Sequence, residues 1–142
     1  MAIRVLLVDD EEDFTEVLSE RMMTRGLEVD TVDNGTDGIE MIKKKWYDAI
    51  VLDLAMPGMD GIETLREMLK ENPDLQVILL TGRATIQKSV EAVKEGAVEF
   101  LEKPVDIETL ISMITEAQKK KASLFEKRME ESVAGVMKKK GW

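Results

Sequence analysis

The chain has 142 residues, 44% of them hydrophobic, a net charge of −9, and neither cysteine nor histidine. That length supports one domain with a sizeable core plus an appendage. The missing cysteines exclude disulfides and thiolate zinc sites, and the missing histidines remove the commonest general base and transition-metal ligand, leaving carboxylates, hydroxyls, lysines and a hard cation for any chemistry.

The start, MAIRVLLVDD, has neither a basic leader segment nor a small-residue cleavage site, and no apolar run approaches the roughly 18 residues that cross a bilayer. A soluble, cytoplasmic protein with no membrane partner is expected. Residues 3–8 (IRVLLV) have the continuous apolar character of a strand buried on both faces, and they end in Asp9 and Asp10. Phe14, Val17, Leu18 and Met22 follow at helical spacing. The alternating, polar EVDTV (28–32) reads as an edge strand, and Ile39 and Ile42 mark a second helix. Trp46 and Tyr47, just beyond, are expected to cap the core. Residues 49–54 (AIVLDL) form a third, buried strand that delivers Asp53 to the turn MPGMDG. Ile62, Leu65 and Leu69 define the third helix, and QVILLT (76–81) is the fourth strand, ending in Thr81. Ile86, Val90 and Val93 define the fourth helix, and VEFLE (98–102) is a fifth strand running into Lys103. A last helix is expected from Asp106, an N-cap with Thr109 three residues on, with Ile107, Leu110, Ile111 and Ile114 along one side.

Five strand-helix alternations in residues 1–118 imply a parallel α/β sheet covered on both faces. Right-handed crossovers and a polar second strand favour the flavodoxin-like, doubly wound order 2-1-3-4-5. Residues 119–142 change character: eight lysines and arginines against three glutamates give the segment +5 and leave −14 for residues 1–118. The segment is read as a basic C-terminal helical extension, or as a second helix, ending near Gly141. Leu124, Phe125, Met129, Val133 and Val136 suit a dimerising helix; a frayed basic end, or lysines docked on the acidic body of a second copy, are the other readings.

In such a sheet, ligands bind beyond the carboxyl ends of the strands, where the strand order reverses. Asp9, Asp10, Asp53, Thr81 and Lys103 all fall there. Three crowded carboxylates raise one another's pKa unless a cation sits among them. Mg2+ fits, since it takes one or two carboxylates, waters and a phosphate oxygen. Lys103 can grip an anion beside the metal, and the Thr81 hydroxyl can donate to it. Metal, lysine, hydroxyl and a spare carboxylate describe phosphoryl transfer with the carboxylate as nucleophile. Each residue alone has an ordinary reading, adjacent acids at a helix N-terminus or PGMDG as a plain turn; their joint placement at successive strand ends is what points to chemistry. No nucleotide-binding or EF-hand pattern occurs.

Together VLLVDDEEDF, DAIVLDLAMPGMDGIETL, VILLTG and AVEFLEKPVD resemble the receiver domain of two-component response regulators over about residues 3–118. The resemblance implies that Asp53 is the phosphoacceptor and that Asp10 ligates Mg2+ (or Mn2+) directly. Asp53 joins the ligand set, Asp9 assists through water, and the backbone carbonyl of Ala55 is a further ligand. Thr81 and Lys103 would bind phosphoryl oxygens, Phe100 stands at the switch aromatic (or is a core phenylalanine), and Lys103–Pro104 would be a cis bond. The donor would be a histidine kinase or histidine phosphotransfer protein docking on the first helix near Glu11, Glu12 and Phe14. The fourth helix, fifth strand and fifth helix would then switch for partner binding or homodimerisation. Ala55 and Arg83 occupy positions that tune phosphoryl lifetime; Ala55 cannot orient an attacking water and Arg83 can shield the group, so a long-lived phosphoryl is expected. A small Mg2+-dependent phosphatase using Asp53 as nucleophile is the alternative, weakened because such hydrolases usually carry a second acid where Ala55 stands. A purely structural interaction domain is the third reading. The acidic balance argues against direct nucleic-acid binding, and residues 119–142 are too few for a helix-turn-helix output, leaving a stand-alone receiver or a piece of a longer regulator.

Overall fold

The five expected strands pair into one parallel sheet in a computed structural model of the chain, which describes residues 2–54, 56, 61–82, 86–96 and 99–139. In chain order the elements are β1 (Arg4–Val8), α1 (Glu12–Thr24), β2 (Glu28–Val32), α2 (Gly35–Lys44), β3 (Ala49–Asp53), α3 (Gly61–Glu71), β4 (Val77–Thr81), α4 (Ile86–Glu95), β5 (Glu99–Glu102) and α5 (Ile107–Lys139). The sheet order is β2-β1-β3-β4-β5, as expected for the doubly wound fold. The expected start of the fifth strand, Val98, lies outside the described residues.

Strand position follows composition. The apolar β3 and β4 are buried along their whole length and lie centrally with β1, whereas the polar β2 takes an edge. Successive side chains then alternate between two cores. Leu6, Val8, Ile50, Leu52 and Leu79 pack with Leu65 and Met68 of α3, Ala92 of α4 and Ile39 of α2. Val5, Leu7, Val51, Ile78 and Leu80 pack with Leu18 and Met22 of α1 and Leu110, Ile114 and Ala117 of α5.

Several packing expectations are corrected. Val17 is half exposed, because the buried stripe of α1 runs through Leu18 and Met22 and Val17 lies at its margin. Val90 and Val93 are also exposed, while Ala92 carries the α4 contact with the core. Tyr47 enters the core as expected, but Trp46 is 55% exposed. Its ring lies 4.1 Å from the Lys121 ammonium of α5 instead.

The last helix begins where expected. The Asp106 carboxylate accepts hydrogen bonds from the Thr109 amide (3.1 Å) and hydroxyl (2.6 Å), which holds its pKa below the usual carboxylate range. The helix then runs unbroken for 33 residues, so the basic segment extends it rather than forming a second helix. Its inward face is apolar as far as Ala117 and polar beyond. Lys121 is buried, and its ammonium donates to the Tyr47 carbonyl. Burial pulls that amine's pKa down against the opposing fields of Asp48 and Asp74. Arg128 forks onto both carboxylate oxygens of Asp74 and lowers the pKa of that acid. Phe125, Met129 and Val133 are exposed. Among the described residues, no helix is long and apolar enough to cross a membrane.

Candidate functional site

The carboxyl ends of β1, β3 and β4 lie side by side, and each ends in or just before a polar residue. Asp9 follows β1, held by its amide to the Val32 carbonyl (3.1 Å) and by its Oδ1, which accepts the Glu11 amide (3.0 Å). Asp53 is the last residue of β3, and Leu54 continues the ladder by donating to the Leu80 carbonyl at 3.1 Å. Asp9 and Asp53 are both buried, and Asp10 is exposed. One carboxylate oxygen of each lies within 4.8 Å of the others. Without a cation such an acidic trio, two of its members buried, is electrostatically costly; the donor set, all hard oxygen and open to solvent at Asp10, suits Mg2+ better than a softer metal.

Gly61 lets α3 start beside this ledge. Its amide donates to the Leu54 carbonyl (3.3 Å), and a Cβ there would sit 2.4 Å from the Leu54 Cα, so no side chain fits.

Thr81 ends β4 and is fully buried, and its hydroxyl has no hydrogen-bond partner among the described residues. An unpaired buried hydroxyl costs about 1–3 kcal/mol, a penalty that an incoming acceptor oxygen would relieve. The Thr81 carbonyl accepts the Lys103 amide at 2.7 Å, which ties the start of the β5–α5 loop to β4. Lys103 precedes Pro104 through a cis peptide.

The Lys103 ammonium lies 3.0 Å from Asp9 Oδ2, 2.9 Å from Glu11 Oε1 and 3.6 Å from Asp53 Oδ2, and 4.3 Å from the centre of the Phe14 ring. Burial alone would lower its pKa. The hydrogen bonds to Glu11 and Asp9, with the fields of Asp53 and Asp9, outweigh burial and raise it above the ordinary lysine value. Phe100 is partly buried and packs against the core containing Leu79 and Ala92. Ala55 and Arg83 lie outside the described residues.

A cleft of about 690 Å³ opens beside the acids, walled by Asp10, Glu12, Glu16, Asp33 and Asp37. Its single sign of charge concentrates cations at the site. The sequence places Glu11 and Phe14 at a docking surface, and Phe14 also on the apolar face of the first helix, but does not reveal their contact with Lys103. The available signal was Glu11 itself: glutamate is a poor N-cap, yet it stands at the N-cap of α1 and makes no capping bond.

Comparison with known proteins gives the class. Residues 5–115 match the response regulator receiver domain, and the chain belongs to that family. It is 34% identical to the transcriptional regulatory protein ZraR of Klebsiella oxytoca over 115 residues, 81% of this chain and 26% of that protein. It is 33% identical to the DNA-binding transcriptional regulator NtrC of Escherichia coli K12 over 113 residues, 80% of this chain and 24% of that protein. A solved response regulator receiver domain protein of Clostridium thermocellum superposes with a TM-score of 0.83 at 32% identity, covering 86% of this chain and 98% of that one. The chain is therefore a signalling domain of the two-component class, and it spans about a quarter of the length of the two regulators. The small-phosphatase alternative finds no support among these relatives.

Proposed function

We propose that Asp53 accepts a phosphoryl group from a phosphohistidine on a partner kinase or phosphotransfer protein, and that Asp9, Asp10, Asp53 and the Ala55 carbonyl hold the Mg2+ that assists it. The observation that carries this reading is the buried Thr81 hydroxyl, without a partner among the described residues, on the strand beside Asp53, which supplies a donor where a phosphoryl oxygen would need one. An Asp53 carboxylate oxygen attacks phosphorus in line with the leaving nitrogen. The O–P bond forms as the P–N bond breaks, and the electron pair leaves with the partner's imidazole, which is protonated on departure. Bound Mg2+ would neutralise charge developing on the transferring oxygens. Lys103 then turns one N–H towards the phosphoryl group, and Thr81 donates its hydroxyl.

The domain transfers the group only to and from itself, in the cytoplasm, and α4, β5 and α5 with Phe100 form the face that responds. Residues 1–118 are the receiver unit and residues 119–142 its helical extension. Incubating wild type and Asp53→Asn with a small acyl phosphate and Mg2+, then weighing both, tests the reading. Wild type should gain one phosphate and the variant none; an unchanged wild-type mass would end it. Ala55 leaves no polar side chain to orient water, and Arg83 adds a shielding cation. The phosphoryl group should therefore persist for minutes or longer when followed by radiolabel, and Ala55→Asn should shorten that lifetime.

A further inference from the structure

We infer that Glu11 is a positioning residue that draws the Lys103 ammonium towards the rim of the site and so weakens its competition with the divalent cation for Asp53; the inference rests on the phosphoacceptor reading above. An ammonium has three donors and no preferred direction. Here two are committed, to Asp9 Oδ2 at 3.0 Å and Glu11 Oε1 at 2.9 Å, while Asp53 Oδ2 is left at the longer 3.6 Å. The Phe14 ring, 4.3 Å from Nζ, offers the cation a favourable face, and it stands in the first turn of the helix that Glu11 precedes as N-cap. Glu11 gains nothing locally from this arrangement. It occupies the N-cap, where its backbone carbonyl accepts the Thr15 amide but its side chain bonds no helix amide, and that side chain is 61% exposed where water would solvate it well. Among the described residues, the one ion pair of its side chain is with Lys103.

The consequence concerns competition. Lys103 and a divalent cation both seek the buried oxygens of Asp9 and Asp53. With Glu11 present, Lys103 is shared outward across the rim of the site. Without it, the nearest remaining anions are Asp9 and Asp53, and the ammonium settles between them, where it displaces the metal.

Mg2+ titrations of wild type, Glu11→Gln, Glu11→Asp, Lys103→Met and the double variant Glu11→Gln/Lys103→Met, read by amide NMR shifts at constant ionic strength, test this. Glu11→Gln should weaken Mg2+ binding by about 3- to 10-fold in the Lys103 background and by less than about 2-fold with Met at 103, a coupling that a double-mutant cycle isolates. Glu11→Asp, which keeps the charge but loses the reach, should fall with Gln rather than with wild type. Equal losses in both Lys103 backgrounds, or a wild-type affinity in Glu11→Asp, would mean that only the general field of Glu11 acts and would overturn the inference while leaving the phosphoacceptor reading intact. A wild type that neither binds Mg2+ nor gains phosphate would overturn both.

Discussion

If Asp53 is the phosphoacceptor, the energetics of Thr81 differ between the resting and the phosphorylated site. Its hydroxyl is buried with no partner among the described residues, so the resting protein carries a penalty that valine, of the same shape, would remove. Thr81→Val should therefore stabilise the unmodified domain by about 1 kcal/mol in urea unfolding. With Mg2+ and beryllofluoride, a phosphoryl mimic, the order should reverse, because the hydroxyl then has an acceptor. A destabilised resting variant would show that the hydroxyl is satisfied after all. Asp53, Thr81 and Lys103 were legible in sequence because each ends or follows a strand, apolar throughout for the first two and weaker for Lys103, and strand ends in this topology share one edge. The grip of Glu11 and Phe14 on Lys103 was not, because it joins residues some 90 positions apart through side-chain reach, which no periodicity encodes.

Among the elements, the strands were the most readable: a sheet buried on both faces demands apolar runs, and the runs in β1, β3 and β4 have no competing interpretation. The helices were read less well. Spacing identifies the side of a helix that is apolar but not how much of it the neighbours cover, hence the exposed Val17, Val90 and Val93. Helix α5 shows the same limit in a different form. Its lysines past residue 118 suggested a solvated tail, yet Lys121 buries its stem against the aromatic pair that follows α2. Lys121→Ala removes that packing, the bond to the Tyr47 carbonyl and the contact with Trp46. The loss should be about 1–2 kcal/mol, with faster amide exchange through residues 119–135. Arg128→Ala, at an exposed pair screened by solvent, should lower stability much less than Lys121→Ala does. Exchange unchanged in both variants would mean that the distal helix is ordered without its clamp.

For the molecule as a whole, stability against pH should reflect the Tyr47–Asp30 bond, 2.6 Å long, which fastens the segment entering β3 to the edge strand β2. Burial first, and then the bond to Asp30, raises the Tyr47 pKa above its ordinary value of about 10; the bond lowers that of Asp30 below about 4. For the phenol, the stabilisation is complete below pH 10 and is lost as pH climbs towards the raised folded value. For the carboxylate, it is complete above about pH 4 and is lost as pH falls through the lowered one. Tyr47→Phe should thus cost about 1–2 kcal/mol between about pH 5 and 9, with the gap to wild type closing at both extremes of a thermal-unfolding series. A gap independent of pH would assign the loss to packing alone.

The long helix has a mechanical consequence. At its amino end it is capped by Asp106, a short step from Lys103; farther along it grips Tyr47 and Asp74, which lead into β3 and β4, the strands whose opposite ends carry Asp53 and Thr81. A rod of 33 residues is about 50 Å long, so a tilt of about 5° about its cap sweeps the far end through about 4 Å. Such a tilt would carry the grips at Lys121 and Arg128 about 2–3 Å with it, so α5 cannot swing free of the strands: it acts as a brace that ties the cap beside Lys103 to the amino ends of β3 and β4.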